Sequence, residues 1–189
     1  MNINNYIEVK NYIPKKLCTK IVSLLTKQKN WQKHKWYDVE KETSESEKTK
    51  ELDVVHSDLQ TQNLLSTYIV QSFEYYNNKY NIHKNNKQTS SFCSKFTPVR
   101  FNKYKKGTIM RKHFDHIHSI FDGQYKGIPV LSFIGILNKN YLGGELVINN
   151  LKIKTKTGDI VIFPSCFLYP HEIKEIKKGI RYSFVTWGF

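Results

Sequence analysis

The sequence predicts a mostly β fold: a two-sheet jelly-roll barrel with helices from the N-terminal part packed outside it. Three observations carry that expectation. Residues 1–92 hold two amphipathic helical stripes. From about Phe92 the apolar period shortens from that of a helix to that of a strand. About eight short strand-like runs then alternate with turn signals, as in a closed pair of β layers.

Each element has a local reason. Residues 6–10 read as a short strand. Pro14 suits a helix start, where its missing N–H costs nothing, and Leu17, Ile21, Leu24 and Leu25 repeat at helical spacing behind it. Ser57 or Asp58 can cap a second helix that carries Leu65, Tyr68, Ile69, Phe73 and Tyr76 on one face, with the polar stretch 77–90 breaking the pattern. Between the helices, residues 31–51 begin with Trp31, Trp36 and Tyr37 and continue into a run rich in Glu, Ser, Thr and Lys, which predicts a mobile loop. Strands are expected at 93–104, 112–115, 129–137, 145–148, 151–155, 159–163, 171–173 and 180–187. Residues 130–137 are almost continuously apolar, as for a central strand, and Asn149-Asn150 looks like a hairpin turn. Gly143-Gly144 suits a turn with positive φ. No internal repeat or second domain is visible.

Composition narrows the class. With 189 residues, 39% hydrophobic and 14% aromatic, the chain can bury one sizeable core. It has no apolar run long enough to span a membrane, and residues 1–10 lack the apolar stretch of a secretory signal. Cys18, Cys93 and Cys166 are odd in number and widely spaced, which fits reduced thiols in the cytoplasm. The net charge of +14 would suit an acidic partner such as nucleic acid. Yet Lys, Asn, Ile and Tyr abound and alanine is absent, as in an AT-rich coding sequence, so part of that charge reflects codon bias. Because Lys is the default cation, Arg100, Arg111 and Arg181 mark places where a planar fork is needed.

The chemistry concentrates in the second half. His113 and Asp115 stand at i and i+2, on one face if the segment is a strand, and His171 opens a later strand. Two His and one carboxylate with open positions form the facial triad of non-haem iron sites. Alone, His113-Phe114-Asp115 could equally be an exposed pair at a strand end. Arg181, ten residues after His171, shares its strand face with Ser183, Val185 and Trp187. If that face is interior, Arg181 is a buried cation that needs an anion. His116 and His118 crowd the motif, but the strand parity of His116 and the loop expected at His118 favour solvated loop positions. The lysines from Lys152 to Lys156 suit a solvated strand face.

The ordered motifs then resemble a known family. Tyr104, Gly107, Met110, His113 and Asp115 follow the Y-x-x-G-x-x-(aromatic)-x-x-H-x-D segment of the prolyl 4-hydroxylase-like Fe(II)/2-oxoglutarate dioxygenases. Gly143-Gly144-Glu145-Leu146 resembles their GGEL turn, and Gly158-Asp159 through Phe163-Pro164 their GD-(apolar)-(apolar)-(apolar)-FP strand. His171 through Gly179 to Arg181 resembles H-x-V-x-x-V-x-x-G-x-R, with Trp187 six residues beyond the Arg. Met110 departs from the pattern, which has an aromatic there.

The resemblance implies a double-stranded β-helix (cupin-like) core over 93–189, supported by 1–92, within a single domain 1–189. It implies Fe(II) held by His113, Asp115 and His171, and 2-oxoglutarate held by Arg181 with Tyr104 and Ser183 as further donors. O2 is the other cosubstrate, and ascorbate dependence stays open. The expected reaction is hydroxylation of a C–H bond, of a prolyl residue in a protein or peptide, with no membrane involved. Trp36, Tyr37, Arg111 and Trp187 are expected at the substrate, and residues 31–52 as a lid over it. Two alternatives stand beside this. One is an oxygenase that demethylates nucleic-acid bases, although Trp187 occupies the place of the second Arg expected there. The other is a non-catalytic cupin-like binding domain, against which the intact triad and Arg181 argue.

Overall fold

A computed structural model of the chain describes residues 2–38, 43–45, 50–80, 93, 95–115 and 129–189, with the backbone alone for 37, 38 and 43–45. A 3-10 turn (Ile3–Tyr6) leads into β1 (Glu8–Asn11) and helix α1 (Lys15–Lys27). Then come β2 (Gln32–Lys33), β3 (Trp36–Asp38), β4 (Thr43–Glu45), β5 (Asp53–His56) and helix α2 (Leu59–Tyr80). The rest is β: β6 (Arg100–Tyr104), β7 (Met110–His113), β8 (Leu131–Ile136), β9 (Leu142–Gly143), β10 (Leu146–Ile148), β11 (Leu151–Lys152), β12 (Asp159–Pro164), β13 (His171–Ile173), β14 (Ile176–Lys178) and β15 (Arg181–Gly188).

Seven strands form one sheet in the order β1-β12-β8-β15-β6-β5-β2, and four form a second in the order β11-β10-β13-β7. The sheets are the layers of a double-stranded β-helix. Side-chain alternation gives the larger sheet two distinct faces. Phe101, Leu131, Phe133, Ile160, Ile162, Tyr182 and Phe184 pack with Cys18, Ile21 and Leu25 of α1 and with Leu65 and Ile69 of α2. Tyr104, Ile134, Ile136, Val161 and Phe163 point the other way, toward Met110, Leu146, Ile148 and Ile173 of the smaller sheet. Both faces of β8 and β12 are covered, which accounts for their continuously apolar sequences.

Local chemistry explains most boundaries. α1 begins right after Pro14 and buries Cys18, Ile21 and Leu25, whereas Leu24 is 42% exposed, so Cys18 takes the place expected of Leu24 on the inner stripe. Asp58, rather than Ser57, caps α2: its Oδ1 accepts from the Thr61 backbone N–H at 2.7 Å. α2 runs on past Asn77 to Tyr80, whose ring packs on Tyr6 and Tyr76. The strand expected at 93–104 starts only at Arg100, because Pro98 lacks the N–H a ladder needs. Asn149 and Asn150 adopt φ of 47° and 65°, as a tight hairpin between β10 and β11 requires.

The larger correction lies between the helices. Residues 31–51 are not simply a loop. β2 and β5 extend the seven-stranded sheet beyond β6, and β3 pairs with β4 as a hairpin. Leu52 and Glu51 are almost fully buried, so this polar-looking segment is anchored from its end. β9 and β14, also unforeseen, pair beside the Gly143-Gly144 turn. Among the described residues no helix is long and apolar enough to cross a membrane, and Cys18, Cys93 and Cys166 form no disulfide.

Candidate metal centre

The smaller sheet brings the predicted donors together. His113 ends β7 and pairs in register with His171 at the start of β13. β7 ends at His113, so Asp115 does not share a strand with His113 as expected. It sits in the bend after β7, and Ser132 on β8 holds it inward, the Ser132 hydroxyl donating to Asp115 Oδ2 at 2.7 Å. Ser132 Oγ lies 2.8 Å from Ser165 Oγ. Since Ser132 donates to the carboxylate, it accepts from Ser165.

The orientation of the rings is informative. His113 Nδ1 lies 2.7 Å from the Arg111 carbonyl oxygen, and His171 Nδ1 lies 3.2 Å from that of Tyr169. A carbonyl can only accept, so each Nδ1 carries the proton and each Nε2 presents a lone pair. Those Nε2 atoms face Asp115, at 3.4 Å from Oδ1 and 3.5 Å from Oδ2. All three ligand atoms lie within 4.8 Å of one another. Three lone-pair donors converging in a buried place repel each other unless a cation sits among them. Ligands at right angles on bonds of about 2.1 Å stand about 3 Å apart, close to the spacing seen. Burial alone would push the Asp115 carboxyl up, but His171, His113 and Ser132 together hold it well below the ordinary range. Burial pulls His171 down to about 4, against the attraction of Asp115, so it is neutral and ready to ligate at neutral pH.

A second feature of the same cavity is an anion-binding floor. Arg181 is 1% exposed on the inner face of β15, paired with Tyr104 of β6. Its Nη1 donates to Ser183 Oγ at 2.7 Å, and its Cζ lies 4.8 Å from the Tyr104 ring centre. No carboxylate among the described residues pairs with it, and its Nε is buried without a hydrogen-bond partner. Burial pushes the Tyr104 hydroxyl up, so it stays protonated and able to donate. Gly143 and Gly144 have φ of 77° and 64°. A Cβ on Gly144 would come 2.3 Å from Ile176 Cδ1 and 3.3 Å from Arg181 Cδ, so glycine is what lets this turn close over the guanidinium. The residues present fit a divalent metal beside a carboxylate-bearing ligand.

The other expected residues divide. Trp187, Met110 and Ser183 line the cavity with Tyr104 and Arg181. Trp36 stands behind His113, ring centres 5.2 Å apart and edge-on, and its indole N–H donates to Glu51 Oε1 at 2.9 Å. Arg111 lies outside the cavity, its guanidinium half exposed and 3.3 Å from Glu51 Oε1. The Tyr37 side chain, His116 and His118 lie outside the described residues, as does part of the expected lid. Lys152 reaches Glu145 at 3.0 Å on the solvent side. Arg100, Asn102, Ser132 and Glu51 were not singled out from sequence for this site. Arg100 and Asn102 share strand parity with Tyr104, which is the signal that identifies them.

Known proteins resemble this chain in sequence and in fold. The sequence model described as the 2OG-Fe(II) oxygenase superfamily matches residues 99–189. A PKHD-type hydroxylase of Prochlorococcus marinus (strain MIT 9515) is 39% identical over 87 residues, 42% of this chain and 38% of that protein. Another, from strain MIT 9301, is 28% identical over 143 residues, 72% of this chain and 54% of that protein. The chain thus spans about half or less of the length of these relatives. Among solved structures, a Pseudomonas putida prolyl-4-hydroxylase superposes with a TM-score of 0.64 at 17% identity, over 97% of this chain and 91% of that one. A Trichoplax adhaerens prolyl hydroxylase in complex with a hypoxia inducible factor peptide fragment does so with a TM-score of 0.71 at 17% identity, over 98% and 84%.

Proposed function

We propose that the chain, whose residues 99–189 match the 2OG-Fe(II) oxygenase superfamily, is an Fe(II)- and 2-oxoglutarate-dependent dioxygenase that hydroxylates a prolyl residue in a protein or peptide. One observation carries this reading: the two Nε2 lone pairs and the Asp115 carboxylate converge in the cavity that also holds the buried, acid-free guanidinium of Arg181.

Each residue has a task that its surroundings support. His113, His171 and Asp115 would bind the metal from one side and leave the other side open. Their orientation is held from outside: carbonyls fix both imidazoles, and the Ser165–Ser132 relay fixes the carboxylate. Arg181 would grip the far carboxylate of 2-oxoglutarate with its fork, helped by the Ser183 and Tyr104 hydroxyls. When bound, Fe(II) and 2-oxoglutarate supply with O2 the oxidising chemistry that hydroxylates an unactivated C–H bond. Met110, Ile134, Val185 and Trp187 give the cavity apolar walls that keep water from the reacting atoms. The peptide bound by the Trichoplax structural neighbour supports a peptide as substrate.

The experiment is incubation with Fe(II), 2-oxoglutarate and a library of proline-containing peptides, followed by succinate assay and mass spectrometry. The expected result is succinate together with peptides gaining one oxygen. Asp115→Ala should lower both by at least about a hundredfold. Succinate with oxidation only at residues other than proline would overturn the prolyl assignment, and no succinate at all would overturn the dioxygenase.

A further inference from the structure

The cavity holds a second guanidinium that neither the metal centre nor the cosubstrate anchor uses. Arg100 lies on the inner face of β6 with Asn102 and Tyr104 and lines the cavity. It pairs in register with Val185, whereas Tyr104 pairs with Arg181. Arg100 and Arg181 therefore mark two ends of the same floor, their backbones roughly 13 Å apart by strand rise. Arg100 belongs to the metal end. Its Cζ stacks 5.1 Å from the Trp187 ring centre, Trp187 pairs with Ser132, and Ser132 holds Asp115.

This guanidinium feels the charge of Asp115, but that carboxylate is turned to His113 and His171 and makes no ion pair with it. Its Nε is buried without a hydrogen-bond partner, and no carboxylate among the described residues forms an ion pair with it. Nearby imidazoles register the excess: burial and then the charge of Arg100 hold both His34 and His56 below their ordinary range. The site as a whole is also out of balance. Among the described residues that line the cavity, Asp115 is the sole carboxylate against two guanidiniums. A divalent metal and a dicarboxylate cancel each other, and Asp115 offsets only one of the two guanidiniums. One positive charge is left over, and Arg100 is the guanidinium that the cosubstrate carboxylate held by Arg181 does not serve; a poorly solvated cation without an ion pair is costly. In a chain that uses Lys almost everywhere, a planar fork laid on an indole is positioned to meet a planar anion edge-on.

On the hydroxylase reading above, we infer that Arg100 is a specificity residue: it pairs with a carboxylate that the peptide substrate carries near the oxidised residue, so that acidic peptides are selected. The carboxylate can belong to an Asp or Glu side chain or to a peptide C-terminus. A charge-assisted pair in this setting is expected to favour acidic over neutral peptides by about ten-fold or more.

The test uses the whole chain, loaded with Mn(II) and 2-oxoglutarate without O2, and measures binding rather than turnover. Fluorescein-labelled probes are proline peptides flanked by Asp or Glu with amidated ends, the same peptides flanked by Asn or Gln, the neutral peptides with a free C-terminus, and an oligo-deoxythymidine. The wild type should bind at least one carboxylate-bearing probe about ten-fold more tightly than the neutral amide. The acidic-amide and free-end probes tell which source is read. Arg100→Gln should bring the peptide probes within about two-fold of one another, and Arg100→Lys, which keeps the charge but not the fork, should keep only part of the preference. Calorimetric 2-oxoglutarate affinity should stay within about two-fold in both variants, with thermal melting as the check on folding.

Equal binding of acidic and neutral peptides by the wild type, or none of either, overturns the inference while leaving the oxygenase reading in place. A fall of about ten-fold or more in 2-oxoglutarate affinity on Arg100→Gln would assign this guanidinium to the cosubstrate instead. Arg100-dependent binding of the oligonucleotide alone would make it a phosphate reader. Failure of the wild type to take up 2-oxoglutarate would overturn the oxygenase reading and this inference with it.

Discussion

The two faces of the seven-stranded sheet come from the same strands and differ in almost every property. Toward the helices, β15 presents Tyr182 and Phe184, and β8 presents Leu131, Phe133 and Gly135; the aromatic and aliphatic side chains are closed off by α1 and α2. Toward the smaller sheet, the intervening residues are Arg181, Ser183 and Trp187 on β15 and Ser132 on β8. A slip of one residue would exchange the faces and put Arg181 against the helices. Packing guards against it: Gly135 pairs with Phe184, and a Cβ there would come 1.9 Å from the Phe184 ring. The apolar face thus sets the register that aims the polar one. Damage to it should cost stability, and damage to the inner face should cost ligand affinity.

The largest effect expected on the outer side is that of Phe184→Ala. Phe184 is fully buried, and removing its ring leaves a void beside Gly135, for a loss of about 3–5 kcal/mol in urea denaturation. The remaining folded protein should bind 2-oxoglutarate as before. A large fall in affinity, measured well below the unfolding midpoint, would mean that the two faces are not separable.

The inner-face counterpart is Arg181→Lys. Lysine keeps the charge but loses the fork and the contact with Ser183, so 2-oxoglutarate affinity should fall about 10–100-fold, roughly 1.4–2.8 kcal/mol. Mn(II) binding in the absence of 2-oxoglutarate should survive, because Arg181 touches none of the three donors. Unchanged 2-oxoglutarate affinity by calorimetry would remove Arg181 as the anchor.

This division also explains what the sequence could disclose. The inner face of β15 was legible because a strand alternates strictly, and one landmark, Arg181, fixed the parity of Ser183, Val185 and Trp187. α1 was legible from Pro14 and its stripe. Asp115 was placed in the right cavity but on the wrong element, since a His-x-Asp spacing does not show where the strand stops, and β7 ends at His113. β2 and β5 were missed for a related reason. They are short edge additions whose burial comes from the sheet they join, and buried Glu51 and Asp53 look in sequence like part of a solvated polar run. Arg100 was recognisable as unusual, and its parity with Tyr104 in the expected strand 93–104 was the overlooked sign of which way it points.

The smallest predicted effect concerns the segment that joins the two faces at the site's rim. His34, between β2 and β3, is buried with its ring 4.8 Å from that of Trp36, which in turn backs His113. Burial, reinforced by the charge of Arg100, by neighbouring His113 and by the charge of Arg111, pulls its pKa down to about 3. Glu51 lies 3.6 Å from His34 Nδ1, beyond hydrogen-bond reach, and is already engaged by Trp36 and Arg111, so it does not rescue the charged form. The sign follows from linkage. Above about pH 6.5 neither the folded nor the unfolded chain protonates this ring, and it has no effect on the balance. As the pH falls below that value the unfolded chain takes up a proton that the folded one refuses, and stability drops by up to about 1.4 kcal/mol per pH unit until the folded pKa is approached. His171, pulled down to about 4, acts in the same direction. Metal loading does not remove the contribution of His171, since an imidazole that holds a metal also refuses the proton that the unfolded chain takes up. Melting temperatures of the Mn(II)-loaded protein should therefore still decline between pH 6.5 and 5, and His34→Gln should flatten that decline. An unaltered slope in His34→Gln would mean that His34 reaches solvent and that the segment before β3 does not seal the rim of the site.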